Sequence, residues 1–321
     1  MKVSPIGLGL AALGRPGYIN LGHGEDLKHE YDIDLMQAKT NRVLNAALKH
    51  GIRYFDAARS YGLAEAFLSY WLKLHDLAPH DVAIGSKWGY TYTAGWQVSA
   101  LRHEVKEHSL PNLKKQWLES KGLLGHHLDL YQIHSATLET GVLDNDAVLE
   151  KLAEIKADGH LIGLSLSGTN QADTLARALE VTVQGERLFD TVQATFNVLE
   201  TSASRMLEEA HKEGLGIIIK ETLANGRLTE RNTAGSFAGT LDALRRLGWR
   251  YGVGIDAIAL SYVLCQPWVD VALSGAATVE QLNANVEALD VALDEEALDV
   301  LAGLTESAET YWQIRSDLSW N

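Results

Sequence analysis

The chain has 321 residues, 46% of them hydrophobic and 22% charged, which is material for two average domains or one large α/β barrel. A formal net charge of −14 argues against nucleic acid and anionic membranes as partners, since both select basic surfaces. The single cysteine, Cys265, excludes an internal disulfide. With no apolar leader segment and no uninterrupted apolar run of about eighteen residues, the expected compartment is the cytoplasm.

In chain order, short β-rich runs alternate with longer helical patterns. The first predicted strand, Pro5–Leu10, is followed not by a helix but by Ala11–Leu27, an extended loop made pliable by Gly17, Gly22 and Gly24. A helix over Lys39–His50, ended by Gly51, leads to a strand over Ile52–Ala57. The third strand is Val82–Trp88, and Trp88, Tyr90, Tyr92 and Trp96 follow closely along the chain. The pair His126-His127 precedes the fourth strand, Leu128–His134, and so belongs at the non-catalytic end of a barrel. Asp146–Asp158 carries Val148, Leu152 and Ile155 on one helical face and stops at Gly159. Strands then fall at Leu161–Ser167, Thr191–Phe196, Gly216–Glu221 and Asp270–Ser274, with helices at Leu199–Lys212 and Val279–Leu289. Runs such as Ile217-Ile218-Ile219 lack alternation, as in a parallel sheet covered on both faces. Cys265 ends the apolar run Ala257–Leu264 and reads as a buried, inert thiol.

Eight β-then-α units predict the α/β class, as a single (β/α)8 TIM barrel over residues 1–321. Extended loops and a C-terminal tail, Ser307–Asn321, are expected over its mouth. An open doubly wound sheet fits less well, because Gly7, Gly9 and Gly14 do not make the G-x-G-x-x-G phosphate fingerprint.

In such a barrel the chemistry gathers where strands end. Asp56 ends the second strand, Lys87 the third and His134 the fourth, with Tyr61 just past Asp56. Parallel neighbours lie about 4.8 Å apart, so these groups can share one pocket. A carbonyl that receives hydride needs a proton donor. A phenol serves when its pKa is tuned, and here Lys87 is expected to lower the Tyr61 pKa while Asp56 holds the ammonium. His134 would orient the carbonyl oxygen, and Tyr61 would be the general acid or base. A metal-dependent hydrolase would need clustered ligands such as His-x-His on an early strand, and none is present, so no metal is expected.

These residues carry a resemblance. Tyr54-Phe55-Asp56-Ala57-Ala58, Ser60-Tyr61-Gly62 and Glu65 are similar to the signature of the aldo-keto reductase superfamily. Gly85-Ser86-Lys87, Leu128–His134, Ile162-Gly163-Leu164-Ser165 and Gly275-Ala276 with Gln281, Leu282 and Asn285 resemble its later motifs, in order, from about residue 3 to about residue 290. The resemblance implies an NAD(P)-dependent carbonyl reductase, with Asp56, Tyr61, Lys87 and His134 catalytic and NADP or NAD as cofactor. Ser165 and Gln193 match positions that hold the nicotinamide carboxamide, with Leu166 standing where asparagine is common. Lys220 stands where an aromatic residue commonly stacks on the ring. The loop Leu223, Asn225 and Gly226 would supply pyrophosphate donors, and Gly275, Gln281 and Asn285 would line the last cofactor segment. Gly275 and Gln281 replace the Lys and Arg of NADP-preferring members, which leaves a 2′-phosphate without charged partners unless Arg227 or Arg231 reaches it.

Trp88, Tyr92 and Trp96 are the expected substrate-binding aromatics, with Ser135, Thr137 and Glu139 as candidate hydroxyl binders. The expected partner is a small aldehyde, ketone or sugar lactol, and the expected assembly is a monomer or a weak homo-oligomer. The alternative is a regulatory barrel that binds nicotinamide without turnover.

Overall fold

Eight parallel strands close on themselves in the computed structural model, which describes residues 3–321. They are β1 (Ile6–Gly9), β2 (Tyr54–Asp56), β3 (Ala83–Trp88), β4 (Leu128–Ala136), β5 (Leu161–Leu166), β6 (Thr191–Thr195), β7 (Gly216–Lys220) and β8 (Val271–Ser274). The ring closes where Ile6 of β1 pairs with Ala272 of β8. All eight coincide with the runs read from the sequence, because strands buried on both faces leave an apolar signature that needs no alternation. Inside the barrel the Tyr54 ring fills the space over Gly85, where a Cβ would come 2.4 Å from the phenol oxygen.

The helices are α1 (His23–Asp26), α2 (Ile33–Lys49), α3 (Ala64–Leu74), α4 (Leu110–Leu124), α5 (Asp146–Ala157) and α6 (Gln171–Leu179) in the first half. The second half adds α7 (Ser204–Lys212), α8 (Ala238–Tyr251), α9 (Ile255–Leu264), α10 (Val279–Val286), α11 (Glu295–Ala302) and α12 (Ala308–Ser316). Gly51 and Gly159 take up left-handed φ of 80° and 95° just past α2 and α5, as their positions predicted. Two helix starts differ from expectation. α2 begins earlier, at an Asp32 side chain that accepts from Leu35 N–H (3.0 Å). α7 begins later, because the Asn197 carboxamide accepts from the N–H groups of Leu199 (2.9 Å) and Glu200 (3.1 Å) and holds them in a turn.

Two further expectations are corrected. Ala11–Leu27 is a packed wall with one turn of helix rather than pliable chain, with Leu13 and Arg15 both buried. Cys265 is exposed, just past the end of α9. The tail packs over the barrel mouth as expected, with Tyr311 and Trp312 buried on α12 and Asn321 hydrogen-bonded to Tyr18.

Candidate active site

Strand register brings the strand-end groups together. Asp56 pairs with Gly85, and Lys87, two residues further along β3, projects from the same face. Lys87 Nζ forms an ion pair with Asp56 Oδ2 and donates to the Ala57 carbonyl (3.0 Å), with both side chains at 2% exposure or less. The other Asp56 oxygen accepts from Tyr54 Oη (3.2 Å), Gln132 Nε2 (3.3 Å) and Gln193 Nε2 (2.9 Å). Charges this deeply buried persist only where such partners replace water.

Tyr61 sits on the turn after β2 with its hydroxyl 3.4 Å from Lys87 Nζ. The His134 ring stands edge-on to Tyr61 (5.5 Å) and Tyr90 (4.9 Å), and its Nδ1 lies 3.4 Å from Ser60 Oγ. A bulge in β4 aims that imidazole. Ser135 takes φ 53° and gives its N–H to Ser165 Oγ (2.8 Å), while His108 Nε2 donates to the His134 carbonyl (2.9 Å).

The electrostatics differ from expectation at Tyr61. Burial, and after it the Asp56 carboxylate, push the phenol well above its ordinary value, with Arg15 opposing. The Lys87 charge is answered at contact by Asp56, so the pair offers Tyr61 little net positive field. Burial and then Lys87 hold His134 well below the usual imidazole value, which leaves the ring neutral.

Tyr61 and His134 line a cavity of about 570 Å³ at the C-terminal ends of the strands. Of the expected cofactor contacts, Gln193, Lys220, Leu223, Asn225, Gly226, Gly275, Gln281 and Asn285 all lie on its wall. Ser165 does not: fully buried, it braces the β4 bulge from one layer behind. Lys220 donates to Thr195 Oγ1 (2.6 Å) and faces Glu221 (3.6 Å), which Arg315 of α12 also grips. Ala224, Asn225 and Gly226 take consecutive left-handed φ of 48°, 55° and 86°, a strained run at the cavity wall. Asn225 Oδ1 and Asn285 Oδ1 are buried without a partner. Unpartnered acceptors and cationic side chains on one wall fit an anionic ligand that also carries hydroxyl donors.

The expected substrate aromatics are corrected. Trp88 is fully buried against His108 (5.6 Å), because it follows Lys87 and points to the opposite face of β3. Trp96 donates from Nε1 to the Tyr31 carbonyl (2.6 Å) beside Phe67, and neither it nor Tyr92 reaches the cavity. Of the hydroxyl candidates, Ser135 lines the cavity, whereas Thr137 and Glu139 do not. The aromatic wall is Tyr18, Tyr90 and Trp320, with Arg15 and Glu104 (2.9 Å apart) between them. Arg15, Tyr18 and Glu104 sit outside the helices and barrel strands, where no periodic pattern marks them. Trp320 belongs to the C-terminal tail expected over the mouth, and it lines the cavity there.

The fold is shared with solved proteins. The aldo-keto reductase AKR11C1 from Bacillus halodurans, in its holo form, superposes with a TM-score of 0.70 at 21% identity, over 95% of this chain and 93% of that one. By sequence, the NADH-specific methylglyoxal reductase of Escherichia coli is 23% identical, over 96% of this chain and its own full length. The 6-dehydroglucose reductase of Agrobacterium fabrum is 24% identical over 83% of this chain and 87% of its own. Residues 5–306 match the Aldo/keto reductase family, and the chain belongs to that family of NAD(P)-dependent oxidoreductases.

Proposed function

We propose that the protein reduces aldehydes, hydroxylated ones above all, by hydride transfer from a nicotinamide dinucleotide, with Tyr61 as proton donor. The observation that carries this reading is a buried phenol on the cavity wall, 3.4 Å from a lysine that is itself paired with a buried carboxylate, and burial holds the phenol above its ordinary pKa. The reduced nicotinamide, when bound, supplies the hydride. The chain supplies everything else.

Gln193, Leu223, Asn225, Gly226, Gly275 and Asn285 would hold the dinucleotide along the wall they line. With the His134 ring neutral and Nδ1 facing Ser60 Oγ (3.4 Å), the tautomer protonated at Nε2 would accept from Ser60 and present Nε2–H to the substrate oxygen. Tyr61 then gives its proton to that oxygen as charge develops on it, and Lys87 Nζ, 3.4 Å away, is placed to donate a hydrogen bond to the phenolate left behind. Asp56 holds Lys87 in place. Since Lys87 is buried behind the phenol, its influence passes through Tyr61.

The substrate class follows from the mouth. Glu104, Arg15, Tyr90 and Ser135 offer acceptors and donors around the reacting position, beside the rings of Tyr18 and Trp320. A polar rim with aromatic faces suits hydroxylated or short dicarbonyl compounds better than long alkyl aldehydes. The relatives named for 6-dehydroglucose and for methylglyoxal agree with that range.

The test is NADH and NADPH oxidation with methylglyoxal, an aldehydo-sugar and an alkyl aldehyde such as octanal. The expected order of kcat/KM places either polar substrate above octanal. A site that prefers octanal contradicts the substrate class, and no turnover with any carbonyl contradicts the reaction.

A further inference from the structure

The charged groups on the cavity wall fall in two sets. Arg15, Lys220 and Arg315 line it together with Glu104 and Glu221 on the side of Tyr61, while Arg231, Glu230, Asp256 and Gln281 line it with Gly275 and Asn285. If hydride transfer occurs at Tyr61, as proposed above, an extended dinucleotide must carry its adenosine to the second set. The inference below rests on that reading.

Arg231 is the one Lys or Arg of that set among the described residues, and its charge is already answered. The guanidinium pairs with Asp26 Oδ1 and donates from Nη1 to the Gly22 carbonyl (2.5 Å). Gln281, on the same wall, donates from Nε2 to the same Asp26 oxygen (2.9 Å) and accepts from Ala277 N–H (2.8 Å). The Asp26 side chain is 1% exposed, and its Oδ2 is buried without a partner. Gly22 takes φ 72°, and a Cβ there would fall 2.2 Å from Arg231 Nη1, so the clamp closes only over glycine. The other cavity cations are answered too, Arg15 by Glu104 and both Lys220 and Arg315 by Glu221.

We propose that Asp26 determines cofactor choice: by holding Arg231 and Gln281 it denies an adenosine 2′-phosphate its cation and selects NAD(H) over NADP(H). A 2′-phosphate adds close to two negative charges and needs charge-assisted donors, whereas a 2′-hydroxyl needs only neutral ones. Asp26 acts through Arg231 and is therefore a positioning residue. A purely structural role would weaken both nucleotides alike, so the informative quantity is their ratio.

The test is fluorescence titration of NADH and NADPH against the wild type, Asp26→Asn, Asp26→Glu and the double variant Asp26→Asn/Arg231→Gln. The wild type is expected to bind NADH about tenfold or more tighter than NADPH, and Asp26→Asn to tighten NADPH about tenfold with NADH within about threefold. Asp26→Glu keeps the wild-type ratio, and the double variant loses the gain. Should Asp26→Asn fail to fold, the wild-type ratio and its retention in Asp26→Glu decide. A wild type that binds NADPH as tightly as NADH, or an unchanged ratio in Asp26→Asn, overturns the inference. A wild type that binds neither nucleotide removes the hydride-transfer reading instead.

Discussion

Burial and the Asp56 carboxylate keep the proton on Tyr61, and burial with Lys87 keeps the His134 ring neutral. With the phenol raised above its ordinary value of about 10, the acid form persists across the working range. Reduction under saturating conditions should therefore hold its kcat to at least about pH 9 and show no inflection near the ordinary imidazole value of about 6.5. Oxidation of the matching alcohol needs the phenolate and should keep rising with pH over the same span. A fall in reductive kcat centred near neutrality would contradict this assignment. Lys220 behaves differently, because burial pulls its ammonium down to about 8, against the opposing charge of Glu221 and with help from Arg315 and Lys87. Below that pH it is positive and favours an anionic ligand, and above it the charge is lost. The Kd for NADH should weaken above about pH 8, and Lys220→Met should flatten that limb. At this scale the sequence showed which groups end the strands. It could not show net fields: Lys87 looks like a free cation in a string of letters, and its pairing with Asp56 cancels the effect expected at Tyr61. The alternation of a strand already places Trp88 outside the site, since a strand that turns Lys87 inward turns its neighbour outward.

Strand β3 carries Lys87 because a second buried network holds it from behind. Glu65 of α3 accepts from Ser86 Oγ (2.5 Å) on β3 and Ser120 Oγ (2.6 Å) on α4, and it pairs with Arg59. Glu65→Gln keeps the shape and removes the charge. Arg59 retains Glu119 (2.9 Å) and is 21% exposed, so the expected loss is modest, about 1–3 kcal/mol in urea unfolding, with kcat lowered as Ser86 and Lys87 loosen. Wild-type stability and kcat in that variant would show that the network does not position the strand. All eight strands were legible because doubly covered strands are apolar runs, whereas the helix starts were legible only in part. Ile33 and Leu35 are 44% and 48% exposed, so the first turn of α2 shows no buried stripe, and its capping Asp32 is the better signal.

The whole molecule is closed at the mouth by its own C-terminal residues. Asn321 exchanges backbone hydrogen bonds with Tyr18 (3.1 Å each way), and its carboxamide accepts from His23 N–H (2.8 Å) and donates to the Asn20 carbonyl (2.9 Å). Trp320 stacks on His103 at 3.9 Å and 4°, with Arg15 over the same ring at 4.8 Å. These contacts reach loops above the barrel and none of its strands. Deleting Leu318–Asn321 should leave the melting temperature within a few degrees and raise KM for the carbonyl several-fold, because the wall made by Leu318 and Trp320 is lost. Unchanged KM would show that the tail is not part of the site. The tail's place over the mouth was legible in the sequence but not its partners, since Tyr18, Asn20 and His23 lie about three hundred residues away and His103 belongs to a different loop.

The most direct test compares wild type with Tyr61→Phe in two readings, NADH binding by fluorescence and carbonyl reduction under single-turnover conditions. Removing one hydroxyl leaves the cavity and its cofactor wall in place, so binding should change by less than about threefold while the rate falls by about 10²–10⁴, the usual worth of a positioned general acid. Equal rates in the two proteins, or a wild type that binds NADH and turns over no carbonyl, would contradict proton donation by Tyr61.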